Sequence, residues 1–221
     1  MRRITGSVFL SLDGVMQAPG GPTEDWTGGF EHGGWLFKFS DEVVGETIGA
    51  FFGGEYDLLL GRRTYDIFAA YWPYAEGENA PMGEAFTRAG KYVLTRGDQP
   101  LPWANSHRLK SIDEVAALKQ GDGPDLLIQG SGTIYPELFS AGLLDRLMLM
   151  TFPVTLGKGK RLFGDDIPAG ALKLVEHKVS PSGVVIATYE PNGAIPQGSF
   201  QHEQPSEREL ERQRKMKDGS W

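Results

Sequence analysis

Along the first 190 positions, short runs dominated by apolar residues alternate with longer stretches whose apolar positions recur at helical spacing. That alternation sets the expected fold class. Arg3 to Ser11 reads as a strand. Leu12 to Gly34 follows as a long connection rich in Gly and Pro, a length usually found in a lid or a ligand wall. A helix is predicted to open at Ser40-Asp41-Glu42 with Ser40 as N-cap, its apolar face carried by Val44, Ile48, Phe51 and Phe52. Gly53-Gly54 ends it.

Tyr56–Leu60 is the next strand, followed by a helix from Gly61 to Ala70. Lys91–Thr95 is a third. Ser111 and Glu114 have the spacing of a capping box and start a helix reaching Leu118. Asp125–Gln129 is a strand, and the turn Gly130-Ser-Gly-Thr133 leads into a helix ending near Ser140. Leu144–Val154 is a long strand in which Pro153 predicts an edge or a bulge. Leu172–Val179 and Val184–Tyr189 read as a closing antiparallel hairpin. The expected fold is therefore α/β, with a mostly parallel sheet and antiparallel strands added at its C-terminal end.

Beyond Pro191 the pattern stops. The last 31 residues carry five acids and five bases but only six apolar side chains, too few for a core. Two regions are expected: a domain over 1–190 and a polar extension over 191–221, with Glu207–Lys217 able to form a polar helix.

Composition narrows the chemistry. The net charge of −7 repels phosphate backbones, so nucleic acid and anionic membranes are not expected partners. There is no Cys, which excludes disulfides, thiol nucleophiles and zinc–thiolate sites. No two of the four His form an H-x-x-x-H pair, so no metal site is expected. No run approaches a membrane span, Met1–Leu10 lacks signal-peptide character, and a cytoplasmic protein is expected. Gly, at 30 of 221 residues, is about twice as frequent as the usual ~7%. Several of these glycines follow strands, where backbone turns sharply or approaches a ligand.

The two strongest motifs are Gly61-Arg62-Arg63-Thr64 and Gly130-Ser131-Gly132-Thr133, each between a strand and a helix. Amides at such a junction suit phosphate, and two junctions suit the two phosphates of a dinucleotide. The same glycines also serve any tight strand-to-helix turn. The second motif lacks the third Gly of G-x-G-x-x-G, and no P-loop signature occurs, so an ordinary Rossmann dehydrogenase or P-loop NTPase is disfavoured. Arg62, Arg63 and Arg96, beside Thr64 and Thr95, form a guanidinium set suited to a phosphate monoester, or else ion pairs with Asp57, Asp66 or Asp98. Asp13 in Ser-Leu-Asp-Gly is either a turn residue or a carboxylate for substrate orientation and proton transfer. Met16, Trp26, Trp35 and Phe37 are read either as a ring-binding pocket or as loop anchors. Gly157-Lys-Gly-Lys-Arg161 is a solvated basic turn or an anion site. No G-x-S-x-G elbow supports hydrolysis.

Four blocks together resemble the dihydrofolate-reductase-like superfamily: Val8-Phe-Leu-Ser-Leu-Asp-Gly14, Leu58-Leu-Leu-Gly-Arg-Arg-Thr-Tyr65 with Tyr71-Trp-Pro73, Lys91-Tyr-Val-Leu-Thr-Arg96, and Leu127-Ile-Gln-Gly-Ser-Gly132. Over roughly residues 3–190 the resemblance is strongest to the C-terminal reductase domain of riboflavin-biosynthesis deaminase-reductases and its stand-alone bacterial relatives. It implies an eight-stranded central mixed sheet with helices on both faces, binding NADPH across the strand ends. It also implies an NADPH-dependent reductase acting on a small heterocyclic (pterin- or pyrimidine-like) or carbonyl acceptor; a non-catalytic NADP(H)-binding oligomeric module is the alternative. By motif, Gly61, Arg62, Arg63 and Thr64 would lie near the 2′-phosphate and pyrophosphate, and Thr95 and Arg96 on the adenosine side. Gly130, Ser131, Gly132, Thr133 and Ile134 would wrap the pyrophosphate, and Met16 would wall the nicotinamide, with Asp13 serving the substrate. Dihydrofolate reductases use one acid on the first helix to bind the pterin; here Asp41, Glu42 and Glu46 compete for that part. With no Cys and no room for it, the zinc deaminase half is not expected here. Related proteins commonly pair, and Leu144–Val154 with the C-terminal hairpin supplies an apolar surface for a homodimer.

Overall fold

The computed structural model describes residues 1–164, 166–201 and 204–221. His202 and Glu203, within the polar extension, lie outside them. The first strand, β1 (Ile4–Ser11), ends in the long connection, and α1 (Glu42–Phe51) follows. Then come β2 (Tyr56–Gly61), α2 (Arg62–Tyr71), α3 (Ala80–Arg88), β3 (Lys91–Leu94), β4 (Ser106–Leu109) and α4 (Ile112–Gln120). β5 (Asp125–Gln129) leads through a 3-10 turn at Gly132–Ile134 into α5 (Tyr135–Ser140) and β6 (Arg146–Phe152). β7 (Leu172–Val179), β8 (Val185–Pro191) and α6 (Glu207–Asp218) complete the chain.

All eight strands form one sheet in the order β4-β3-β2-β5-β1-β6-β8-β7. β1 lies between β5 and β6 and is parallel to both, with Ser7 opposite Gln129 on one side and Met148 on the other. β2 is parallel to β5 and β3, and β3 to β4, while β8 and β7 run antiparallel. Parallel strands need long crossovers, and helices supply them here except between β3 and β4, which a loop joins. β2 and β5 are consequently covered on both faces, which is why YDLLL and DLLIQ read as continuous apolar runs; Leu58, Leu59 and Leu60 are all fully buried. On one face Ile4, Val8, Leu126 and Ile128 pack with Tyr135 and Leu138 of α5 and Val115 of α4. On the other, Met148, Met150 and Phe152 meet Val44 of α1 and Trp35, while Leu58 and Leu60 meet Tyr65 of α2 and Phe86 of α3. The buried Arg2 guanidinium pairs with Asp57 and fastens the start of β1 to β2.

Three sequence expectations change. The N-cap of α1 is Asp41, not Ser40: one carboxylate oxygen accepts the Val44 amide at 3.0 Å and the other the Ser182 amide at 2.9 Å. Pro153 marks neither an edge nor a bulge. It follows the last residue of β6, an interior strand, and the register irregularity lies in β7 between Leu174 and Glu176. α3 was not expected, because Pro81 and Gly83 interrupt its apolar spacing. Tertiary contacts make it: Gly83 packs against the Trp72 carbonyl, and the buried Lys91 ammonium donates to the carbonyls of Phe86, Thr87 and Ala89 at its C-terminus.

Gly6 leaves β1 bare where Tyr135, fully buried, lies across it. A Cβ there would sit 2.4 Å from the Tyr135 hydroxyl oxygen. Gly6→Ala is therefore expected to cost about 1–3 kcal/mol, read as a lowered urea midpoint with an unchanged slope.

Candidate active site

The C-terminal ends of β1, β2 and β5 lie side by side, the position at which open α/β sheets collect ligands. Beyond β5 the chain passes through Gly130 at φ 71° and Ser131 at φ 56°, two successive left-handed residues. For Ser131 that conformation is uncommon, and the surroundings hold it. Its hydroxyl is buried and accepts the amide of Gly61 at 3.1 Å, which locks the turn after β5 to the turn after β2. A Cβ on Gly61 would lie 3.2 Å from both Thr133 Oγ1 and Ile134 Cγ2. One on Gly132 would lie 2.7 Å from Met16 Sδ. The two glycine turns and the Met16 loop are thus packed against one another.

They border a cavity of about 1160 Å³. Met16, Gly130, Ser131, Gly132 and Thr133 form one side, and Arg63 and Thr64, in the first turn of α2, another. Val8, Phe9 and Leu162 give it apolar surface. Arg63 makes no hydrogen bond or ion pair among the described residues, so its charge is available to a ligand. Arg62 is differently engaged. Successive helical residues point about 100° apart, and its guanidinium pairs with Asp66 at 2.9 Å while donating to the carbonyls of Gln99 and Pro100. Thr95 and Arg96 border a separate recess of about 120 Å³ with Lys110, Ile134 and Glu137. Arg96 is largely exposed and pairs with Glu137 at 3.3 Å. Thr133 borders both spaces. Ile134 is otherwise a core residue.

Asp13 does not border the cavity. Its carboxylate accepts the Ser11 hydroxyl at 2.6 Å and the amides of Leu156 and Gly157 at 3.0 and 2.7 Å, with Arg161 at 3.7 Å. The Ser11 bond, then the backbone bonds, hold its pKa down at about 2. Asp41, Glu42 and Glu46 do not reach the cavity either. The ring-binding set divides likewise: Trp35 is buried in the core, and Trp26 and Phe37 are exposed away from the cavity. Of these only Met16 borders it. Lys160 and Arg161 of the basic turn are part of the wall.

Several wall residues gave no usable signal in the sequence. Gln17 is buried; its amide nitrogen donates to the carbonyls of Asp25 and Thr27 at 3.0 and 2.9 Å, and its side-chain oxygen accepts the Lys160 amide at 3.0 Å. Its own carbonyl accepts the Trp35 indole at 2.8 Å. Asp25 pairs with Lys160; burial opposes its charge, but that ammonium and the Thr27 contacts outweigh it and lower its pKa. Glu24 has one oxygen on the amides of Gly20 and Gly21, at 2.6 and 3.2 Å, and burial raises its pKa. The Gly-Gly-x-x-Glu spacing is a local trace of that turn. Gln129, at the end of β5, has a buried side-chain oxygen without a partner. No group of three or more acidic or His side chains among the described residues could hold a metal ion, and no described helix is long and apolar enough to cross a membrane.

Comparison with known proteins agrees with this architecture. The uncharacterized protein YyaP of Bacillus subtilis (strain 168) is 29% identical over 199 residues, 87% of this chain and 96% of that protein. A putative riboflavin biosynthesis protein from Shewanella sp. PV-4 has a similar structure, with TM-score 0.63, 18% identity and coverage of 86% and 99% of the two chains. A pyrimidine reductase-like protein from Corynebacterium diphtheriae gives 0.55 at 14% identity, covering 86% and 92%. Dihydrofolate reductase from Enterococcus faecalis, complexed with NADP(H) and RAB-propyl, gives 0.52 at 17% identity, covering 86% and 96%. These structures share the fold, an eight-stranded mixed sheet of dihydrofolate-reductase type. The family model of the RibD C-terminal domain matches residues 2–186, nearly the whole sheet and every wall of the cavity, and the chain belongs to that family.

Proposed function

We propose that this chain is an NADPH-dependent reductase that delivers hydride to a small heterocyclic, pterin- or pyrimidine-like, or carbonyl acceptor. The observation that carries this reading is the large cavity joining the Gly130–Thr133 turn, Arg63, which is unpaired among the described residues, and an apolar wall. Ligand pockets usually measure ~300–1,000 Å³, so about 1160 Å³ leaves room for a dinucleotide end and an acceptor together. The residues fit such a cofactor. Glycines leave backbone open where diphosphate would approach, and Arg63 and Thr64 offer charge and a hydroxyl.

Bound NADPH supplies the hydride, and the chain's contribution is positioning and water exclusion. Arg63 and Thr64 would hold diphosphate beside the left-handed turn. Arg96, across Thr133, would meet the 2′-phosphate in its recess. Met16 would press one side of the reactive ring. The loop tied down by Gln17 and Asp13 closes the far wall, so Asp13 serves as a positioning residue.

Three outcomes follow from this reading. A charge-assisted hydrogen bond contributes ~1.5–3 kcal/mol, or roughly 10–100-fold in affinity. Arg96→Ala should therefore weaken NADPH by about that factor and leave NADH almost unchanged, whereas Arg63→Ala should weaken both. Calorimetric titration of the two cofactors decides it, and equal losses in Arg96→Ala would remove the 2′-phosphate assignment. Turnover of NADPH with any member of a pterin, pyrimidine-ribitol and quinone panel rules out the purely binding module.

Asp13→Asn should loosen the loop, with amide exchange at Leu156 and Gly157 rising about tenfold, while the shape of any pH–rate profile stays as it was. Because the folded pKa of about 2 lies below the ordinary 3.8, the clamp is complete above pH 3.8 and is lost as pH falls toward 2. Wild-type exchange at those two amides should rise in that window.

The third outcome concerns assembly and the extension. Leu174 opposes Tyr189 and Val179 opposes Val185, so the β7 bulge keeps both on one face with Leu172. Leu172, Leu174, Val179 and Val185 are all exposed there. An apolar edge of that kind calls for a partner, and a second copy would cover it. Light scattering should give twice the 24.2 kDa chain mass. Residues 1–190 alone should keep the fold and the dimer, since 191–221 bury too little to be required. A monomer in both cases contradicts the homodimer.

A further inference from the structure

Among the described residues four carboxyl groups border the cavity, and three are accounted for. Asp25 is neutralised by Lys160, Asp66 by Arg62, and Asp166 is exposed. Glu24 differs. It pairs with no cation among the described residues, and all of its hydrogen bonds fall on one oxygen. Oε2 accepts the amides of Gly20 and Gly21. Oε1 has no partner and is not sealed off, since it is absent from the buried unpartnered atoms while the side chain borders the cavity. Two donors on Oε2 leave Oε1 as the oxygen that carries the proton when the group is neutral. The acid is thus oriented, and its side chain borders the ligand space.

We propose that Glu24, through Oε1, hydrogen-bonds and protonates the heteroatom of the C=N or C=O bond that is reduced, an assignment that rests on the reductase reading above. As the carbon receives hydride from the reduced nicotinamide, the π electron pair moves onto the heteroatom, which takes the Glu24 proton. The C=X bond becomes CH–XH, the cofactor is oxidised, and the carboxylate regains a proton from solvent. Burial keeps Glu24 protonated to higher pH than an ordinary carboxyl group. The other charged and titratable groups bordering this cavity are Asp25, Lys160, Arg161 and Asp166 from the loops and Arg63, Asp66 and Tyr71 from α2. Among them Asp25 pairs with Lys160, and its neighbouring negative charge adds to burial in raising the Glu24 pKa.

Glu24→Gln separates this role from a structural one, because a glutamine oxygen can still accept from Gly20 and Gly21 while no proton is available. The full chain is assayed with the acceptor panel, alongside NADPH titration and carboxyl carbon NMR of Glu-labelled protein, with the Glu24 signal identified by its loss in the variant. The expected result has three parts: kcat falls by ~100-fold or more, NADPH affinity is unchanged, and the Glu24 signal moves when the acceptor binds. In wild type the rate should fall as pH rises through the Glu24 pKa, and in the variant that limb should vanish. Turnover kept in Glu24→Gln with the limb intact overturns the proposal. So does joint loss of NADPH binding, which would make Glu24 a fastener of the loop. If wild type reduces nothing in the panel, and the Glu24 signal ignores every compound, the parent reading falls and the assignment falls with it.

Discussion

The site depends on a left-handed step. With φ positive at both Gly130 and Ser131, the chain leaving β5 swings across the end of β2 and does not run straight into a helix. The Ser131 hydroxyl then meets the Gly61 amide, so two turns separated by 70 residues become one rigid piece. Such a conformation costs about 1–3 kcal/mol for a residue with a Cβ, and the buried hydrogen bond and the packing of Thr133 on Gly61 offset it. Arg63, Thr64, Met16 and the recess of Arg96 all take their positions from this junction. Without it the sheet would still form, but its strand ends would present unrelated loops.

The opposite wall is built on another principle. Gly14 to Trp35 contains almost no regular structure, and one buried amide orders much of it. Gln17 satisfies two carbonyls ahead of it and one amide 143 residues further along the chain. Asp13 does the same for the start of the second segment. A wall held by polar ties can keep functional groups such as Glu24 half-buried and partly unpaired, where an apolar seam would have excluded them. It also limits the motion of the loop, since each tie couples two segments.

Periodicity made the sheet legible because its strands are buried on both faces and its helices carry one apolar stripe. The glycine turns were legible for the same local reason, that strand, Gly and hydroxyl adjoin in sequence. What escaped was decided at a distance. Arg62 and Arg63 are neighbours with identical chemistry, and only the direction of each on α2, together with the carbonyls of Gln99 and Pro100, separates a structural arginine from an available one. Asp13 sits at a strand end, a usual place for a catalytic carboxylate, yet the amides of Leu156 and Gly157 claim it. Glu24 has partners only three and four residues away, but its burial comes from the whole cavity wall. α3 owes its existence to Lys91 and Trp72, and no scan of its own apolar residues reveals it.

The location of β1 has a consequence for how the protein is made. Its neighbours are β5 and β6, so β1 leaves the ribosome long before its partners in the sheet. At ~5–20 residues per second, roughly 6–30 s pass before those partners are synthesised. During that time Val8, Phe9 and Leu10 are an apolar strand with no sheet to join. β2, β3 and β4 can pair first, but β5 has to arrive before β1 can be inserted beside it. Nascent chains are therefore most exposed to misassociation at β1, and a chaperone that holds Ile4–Ser11 would protect the step on which closure of the sheet depends.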